Sequence, residues 1–472
     1  MIDRNQLYIN GKWVSSAGNG TIKVVNPFTE ATIAKIPAGA LDDVACAVKA
    51  SRCAILGWAN TPVEKRVHFL EKVHQGLVAR QDEIAELITA EVGMPLKMSK
   101  RIQAFLPAAV LDSFCKLAMS YPFERTLSNS TIYKEPVGVV ACITPWNYPL
   151  HQVVAKVAPA LLAGCTVILK PSEVAPLTAF LLAEIMDAAG LPPGVFNLVT
   201  GEGPIVGEAL VCQEGVDMVS FTGSVAAGKR VAALSAESVK RVALELGGKS
   251  ASVILDDADL AKAVKGTINA CFLNSGQTCN ALTRMLVPED LYDEVVRLSV
   301  ELCKSFTLGD PQNAETRLGP LVSEVQRSRV QTFIQTGLQE GADLLCGGPE
   351  SPTGFTHGYF VQPTILGKVT SEMTVAQSEI FGPVLSIMTY RTEAEAIKIA
   401  NDSRYGLGGA VWSGNHERAM RVAREMRTGQ VDINGGAFNL MAPFGGFKQS
   451  GYGRELGEFG LEGFLEVKSV QC

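Results

Sequence analysis

Residues 137–173 read VGVVACITPWNYPLHQVVAKVAPALLAGCTVILKPSE, and the fold is decided by how this stretch is punctuated. Two short apolar runs, Val137–Ile143 and Val167–Leu169, are each followed at once by a proline-marked turn, Thr144-Pro145 and Lys170-Pro171. The rhythm continues with Val195–Val199 and Met218–Phe221, separated by helices such as Leu177–Ala189. Short apolar strands alternating with helices are the pattern of a parallel sheet. A second set follows Glu245-Leu246-Gly247-Gly248. It holds Ser252–Leu255, a helix from Leu260 to Asn274, Met285–Val287, a helix Leu291–Ser305, and strands at Val384–Tyr390 and Gly409–Trp412. Two α/β units joined at a Gly-Gly hinge are expected. Upstream, residues 27–136 open with a turn at Asn26-Pro27 and read mostly helical, as Leu41–Ala59 and then Val63–Val92 stopped by Gly93. Thr131–Lys134 and the tail Phe464–Val470 alternate as strands without a hairpin partner, which points to pairing at an oligomer interface.

The chain has 472 residues, about three domains at roughly 150 residues each. Charged residues make up 19%, below the roughly 25% of average soluble proteins, while hydrophobic residues reach 47%. This excludes disorder, collagen and coiled coil. With 42 basic and 48 acidic residues the net charge is −6, so nucleic acid and anionic membrane have no basic footprint to use. The start, Met1-Ile2-Asp3-Arg4-Asn5-Gln6, lacks a secretory core, and the apolar stretch Val153–Leu169 is interrupted by Lys156, Pro159 and Gly164. Neither export nor a membrane span is expected. Eleven cysteines without a CxxC pair point to reduced thiols in a cytoplasmic setting. The five histidines stand at no metal-ligand spacing, so no metal is expected.

Five segments carry candidate chemistry. In Asn274-Ser275-Gly276-Gln277-Thr278-Cys279-Asn280 a thiol follows a glycine turn that can leave backbone N–H groups facing an oxyanion; a lone cysteine also reads as a small buried hydrophobe. Glu245, in an apolar run ending in Gly247-Gly248, is a carboxylate whose surroundings favour its neutral form and suit it as a base, or it is a partner for Lys249. Pro145-Trp146-Asn147-Tyr148-Pro149 lies past a strand's carboxyl end, where open α/β sheets bind ligands, or serves as a stiff turn. Lys170-Pro171-Ser172-Glu173 offers a Lys and a Glu to a ribose, or is a surface loop. Phe221-Thr222-Gly223-Ser224, with Gly228 beyond, is a glycine turn feeding a helix N-terminus and suits a phosphate. A Gly-x-Gly-x-x-Gly fingerprint is missing: Gly201-Glu202-Gly203-Pro204-Ile205-Val206-Gly207 is one residue too long and contains a proline.

Together with Glu379-Ile380-Phe381-Gly382-Pro383 and Pro443-Phe444-Gly445-Gly446, these blocks stand in the order and spacing of the NAD(P)-dependent aldehyde dehydrogenase superfamily, which the sequence resembles over essentially its full length. The resemblance implies the hydrolytic, non-CoA-acylating type, because Glu245 is present where the CoA-acylating enzymes lack a glutamate. By this resemblance Cys279 attacks the aldehyde, the Asn147 amide and the Cys279 N–H hold the oxyanion, and Glu245 activates the water that hydrolyses the thioester. Lys156 is placed near the ribose and the reaction centre. Cofactor contacts are implied for Ile143, Thr144, Pro145, Trp146, Lys170, Ser172, Glu173, Gly203, Phe221, Thr222, Gly223, Ser224, Leu246, Glu379 and Phe381. NAD is preferred because Glu173 repels a 2′-phosphate; NADP is the alternative if Glu173 turns away.

The implied substrate tunnel takes Phe114, Leu117, Tyr148, His151, Gln152, Thr278, Asn280, Phe438, Leu440, Met441 and Phe444, widened by Ala155. With few charges there, a medium-to-long aliphatic or aromatic aldehyde is expected. A semialdehyde or betaine-type aldehyde, and a catalytically silent binding oligomer of the same fold, are the alternatives. The implied fold class is α/β, an aldehyde dehydrogenase-like fold of two open α/β domains with parallel sheets plus a small β oligomerisation element. Residues 1–118 and 137–247 form the NAD-binding domain and 248–447 the catalytic domain. Residues 119–136 and 459–472 are the bridging strands of a homodimer or homotetramer, and 448–458 return to the cofactor domain.

Overall fold

The computed structural model describes residues 2–472. The runs Val139–Ile143, Thr166–Lys170, Phe196–Leu198, Met218–Thr222 and Arg241–Glu245 pair in parallel as the centre of an eight-stranded sheet. Nearly every residue of the first four is buried, as expected of strands covered on both faces by helices. A seven-stranded sheet is built on Ala251–Ile254, Arg284–Pro288, Val384–Tyr390 and Gly409–Trp412, also parallel. The two α/β units expected from the sequence are therefore present. Gly247 and Gly248 lie between the last parallel strand of one and the first strand of the other.

Three local expectations need correction. Residues 63–92 are two helices, Val63–Ala79 and Gln81–Val92, broken at Arg80; Gly93, at φ +82°, ends the second as expected. The segment read as mostly helical holds a strand, Thr32–Pro37, which pairs with Thr21–Val25. An earlier hairpin, Gln6–Ile9 with Lys12–Ser15, adds to the edge of the eight-stranded sheet. Its signal was in the sequence: Asn10-Gly11 takes positive φ at both positions, the turn that Asn-Gly favours. Finally, Ser130–Pro136 is not alone. It forms a hairpin with Glu124–Leu127 and pairs along its other edge with Leu465–Gln471, giving a three-stranded antiparallel sheet.

The helical run Leu96–Ser120 is long and apolar enough to cross a membrane, with a mean hydropathy of 1.3. Half of its most apolar window is buried inside the protein, the placement of a core helix, and Phe114 within it is 1% exposed. Its first part, Ser99–Ala104, winds as a wider π-turn, a distortion that often accompanies functional sites.

Arg284 holds the second unit together from inside. Its guanidinium is 2% exposed and donates to the carbonyls of Lys249 at 3.0 Å, Ile399 at 2.8 Å and Ala400 at 2.8 Å. The last two belong to the final turn of the helix Glu393–Asn401, whose carbonyls have no partner within the helix. Arg284→Met keeps the apolar stem but removes the donor from the Lys249 and Ala400 carbonyls, while Ile399 O keeps the Asp402 N–H. A loss of about 3 kcal/mol is expected, read as a lower urea midpoint for the transition that unfolds this unit.

Candidate active site

The loops at the carboxyl ends of the first sheet meet a short loop from the second. After the helix Leu260–Phe272 the backbone turns through Asn274, Ser275 and Gly276, all at positive φ (52°, 54° and 76°). Gly276 has no substitute: an added Cβ would lie 2.1 Å from the Gly382 backbone. Side chains hold the strained loop. Asn274 Nδ2 donates to the Asn147 carbonyl at 3.0 Å, Ser275 Oγ to Gly319 O at 2.8 Å, and the Val322 N–H to Gln277 Oε1 at 2.9 Å. Asn147 Nδ2 in turn donates to Gln277 O at 2.9 Å. The loop thus presents Cys279, half-buried, beside Asn147. Among the described residues the Cys279 backbone N–H has no acceptor, so it is free to meet an oxyanion.

Two cavities flank the thiol. One, of about 180 Å³, is lined by Pro145, Trp146, Asn147, Thr222, Gly223, Ser224, Glu245, Leu246, Gly247, Gln326, Arg329, Glu379 and Phe381. The other, of about 370 Å³, is lined by Tyr148, His151, Thr278, Asn280, Phe438 and Phe444, with Arg101, Ile102, Phe105, Leu106, Leu273, Gln430, Asp432, Gly436, Glu455 and Leu456. Cys279 and Gln152 line both.

The first cavity is built for a polar ligand. Glu379 Oε1 accepts from the Gly248 N–H at 3.1 Å. A Cβ on Gly247 would sit 2.1 Å from the other carboxylate oxygen, so only glycine lets the acid reach this place. Arg329 donates to Glu379 O and Gln326 to Phe381 O, each at 2.8 Å, and the Phe381 ring stands edge-on to Trp146 at 5.3 Å. Ser224 caps the helix Val225–Ala236 and accepts from the Ala227 N–H, so the positive end of that helix faces the cavity. Thr222 Oγ1 is buried without a partner.

Electrostatics at the thiol follow from exclusion of water. Burial pushes the Cys279 thiol up to about 12, with the Glu245 and Glu379 carboxylates adding to the shift; the Asn280 N–H, donating to the sulfur, works against it. Glu245 is 5% exposed with both oxygens unpartnered. Burial and the Glu455 carboxylate hold its pKa well above the usual range, against the nearby Lys156 and Arg454 charges. Burial brings Glu379 up to about 7.

The remaining sequence candidates divide by position. Ile143 and Lys170 pair at the carboxyl ends of adjacent strands, and the Thr144 N–H donates to Lys170 O. Phe221 pairs with Leu244 at the same edge. These residues, with Ser172, Glu173 and Gly203, are outside the walls of the first cavity. Lys170 Nζ donates to Glu173 Oε2 at 2.9 Å. Lys156 lines neither cavity; it is 1% exposed and ion-paired with Glu455, itself a wall of the larger one.

Four expected tunnel residues fall elsewhere. Phe114 packs in the core against Gly460; Leu117 is on the same helix; Leu440 packs on that core, and Met441 is exposed. Ala155 is 1% exposed in the core and widens nothing. The expectation of few charges also fails, since Arg101, Asp432 and Glu455 line the cavity. Arg101 sits on the π-turn, whose register a helical pattern does not reveal. Gln326 and Arg329 arrive from the helix Glu324–Gln339, where they read as ordinary surface residues.

A profile described as "Aldehyde dehydrogenase family" matches residues 13–470. A 3-succinoylsemialdehyde-pyridine dehydrogenase from Pseudomonas sp is 50% identical, covering 100% of this chain and 99% of that one. A mutant of aldehyde dehydrogenase C from Pseudomonas syringae, solved with NAD+ and octanal, superposes at a TM-score of 0.98 with 45% identity over 99% of this chain and 96% of that one. A betaine aldehyde dehydrogenase from Staphylococcus aureus, solved with NAD+, gives 0.96 with 36% identity over 99% and 94%.

With its thiol pushed up to about 12, Cys279 is protonated at neutral pH. Its alkylation by iodoacetamide, followed by peptide mass mapping, should rise about tenfold per pH unit from 7 to 10 without a plateau.

Proposed function

The chain belongs to the aldehyde dehydrogenase family, and from that premise we propose that it oxidises an aldehyde to the carboxylic acid with NAD through a covalent intermediate on Cys279. The observation that carries this reading is convergence: Cys279, Asn147, Glu245 and Glu379 come from four separate segments and line one small cavity.

The Cys279 sulfur adds to the aldehyde carbon as its thiol proton leaves to solvent water. Negative charge develops on the aldehyde oxygen, where the second N–H of Asn147 and the Cys279 backbone N–H stabilise it without reorganisation. NAD, when bound, supplies the hydride acceptor. Glu379, Phe381, Trp146 and Leu246 would hold its nicotinamide end, Thr222 to Ser224 its phosphates, and Lys170 with Glu173 its adenosine ribose. The unpartnered Thr222 hydroxyl and the helix end capped by Ser224 fit such an anion. Glu245, as a carboxylate, then draws a proton from the water that attacks the thioester carbon; the C–S bond breaks, the acid is freed, and the Cys279 sulfur takes the proton back from Glu245. A carboxyl with a raised pKa suits this role, since it holds a proton strongly enough to take one from water.

The second cavity would hold the body of the aldehyde. Apolar walls at Ile102, Phe105, Phe438 and Phe444 support a medium-to-long aliphatic or aromatic substrate. Arg101, His151 and Asp432 favour a second reading, a semialdehyde bearing a polar or heteroaromatic group, in line with the substrate named for the 50% identical relative. Burial and the Lys156 charge bring His151 down to about 4, so its imidazole is neutral at pH 7 and offers one donor and one acceptor.

Purified protein with NAD and an aldehyde panel should produce NADH, with Cys279→Ala inactive; no turnover on any aldehyde would return the catalytically silent alternative. Glu245→Gln should give one burst of NADH per subunit and then turn over roughly 10²–10⁴-fold more slowly, with the acyl group detected on Cys279 by mass spectrometry. Glu173→Gln removes the charge set against a 2′-phosphate and should raise kcat/KM with NADP about tenfold.

A further inference from the structure

Cys303 and Cys346 meet at the outer edge of the seven-stranded sheet and have no part in the proposed aldehyde chemistry. Cys303 ends the helix Tyr292–Cys303 and is 1% exposed. Cys346 ends the edge strand Asp343–Cys346 and is half-buried. Consecutive strand residues ordinarily face opposite sides, but this strand is bulged between Leu344 and Cys346. The bulge turns both Leu345 and Cys346 onto the apolar cluster that contains Cys303. One backbone oxygen locates the two thiols. Cys303 Sγ donates to Pro363 O at 3.3 Å, and Gly347, next to Cys346, lies so close to the same oxygen that an added Cβ would clash with it. The Cys303 thiol is thereby within hydrogen-bonding reach of the Cys346 sulfur, which also accepts from the Gly347 N–H and has the Lys304 ammonium nearby. The Cys303 hydrogen bond, helped by Gly347 and Lys304, brings Cys346 down to about 7 against the effect of burial, and Cys303 is pushed up. At neutral pH the pair holds a thiolate beside a thiol, whereas Cys279 keeps its proton.

We propose that Cys346 and Cys303 form a redox modification site, which a hydroperoxide converts to a disulfide while the Cys279 thiol stays reduced. The Cys346 thiolate attacks the O–O bond of the peroxide and takes one oxygen as a sulfenic acid; the other oxygen leaves as hydroxide and is protonated by solvent. The Cys303 sulfur then attacks the Cys346 sulfur, the S–O bond breaks, and the departing hydroxide leaves as water with the Cys303 proton. Two thiols thus give up two electrons, and hydrogen peroxide is reduced to two waters. The strand that carries Cys346 is paired along one side only, so it can make the small approach that the bond needs. Neither cysteine lines a cavity beside Cys279.

One equivalent of hydrogen peroxide per subunit, added to the full chain at pH 7, tests the site. After denaturation in iodoacetamide, non-reducing peptide mass mapping should find Cys303 and Cys346 in one cross-linked pair, with Cys279 alkylated. Cys279→Ala should form the same cross-link at the same rate. In Cys303→Ala, Cys346 has no partner, and its sulfenic acid trapped by dimedone should exceed the parent level about tenfold. The measurement on the parent protein needs no variant, so it decides the question even if Cys303→Ala fails to fold. A cross-link from either cysteine to Cys271, which lies in the same cluster, overturns the proposal. So does oxidation of Cys279 ahead of Cys346, or a Cys346 still fully alkylated after peroxide.

Discussion

The Asn147 carbonyl is the point on which the two halves of the molecule depend. It accepts from Gln103 in the helical region and from Asn274 in the second unit, while the side chain of the same residue donates to Gln277. A backbone oxygen at the end of one parallel sheet is thereby tied with one lone pair to the helical region and with the other to a loop from the second unit. The three left-handed residues of that loop cost conformational energy, two of them having side chains. They persist because hydrogen bonds on both sides leave the loop no relaxed alternative. The thiol's position is a consequence of this tie.

Electrostatics follow from the same closure. Once loops from both units cover the junction, Glu245 loses its water and gains no partner. The carboxyl then prefers its proton, and the thiol beside it does so for the same reason. Lys156 is near enough to matter but is committed to Glu455. The site therefore holds a weakly acidic thiol and a strongly basic carboxylate together, a pairing that surface residues of the same types would not produce.

How much of this was legible in the sequence depended on where the determining interactions lay. Cys279, Glu245 and Asn147 sit in short glycine- and proline-marked motifs that the local pattern offers only as candidates, and it is the order of those motifs along the chain, a family resemblance, that joins them and adds Glu379. The buried parallel strands were legible because both faces are covered, leaving unbroken apolar runs. Thr32–Pro37 was not, since its alternation is short and set in a region of strong helical periodicity. Arg101 and Asp432 reach the larger cavity through a π-turn and a sheet-edge strand, and neither carries a signal beyond its charge. Phe114 and Met441 failed for the opposite reason: their types suit a tunnel, but tertiary packing turns one into the core and the other into solvent.

The placement of Cys279 in the wall of two separate cavities has a consequence for traffic. The two cavities share only Cys279 and Gln152 in their walls, so a molecule seated in one leaves most of the other's walls free. Under the proposed reaction both reactants can therefore be resident together. Steady-state rates should then follow intersecting, sequential patterns, with each reactant failing to compete against the other, and the order of release is left to the relative tightness of the two compartments.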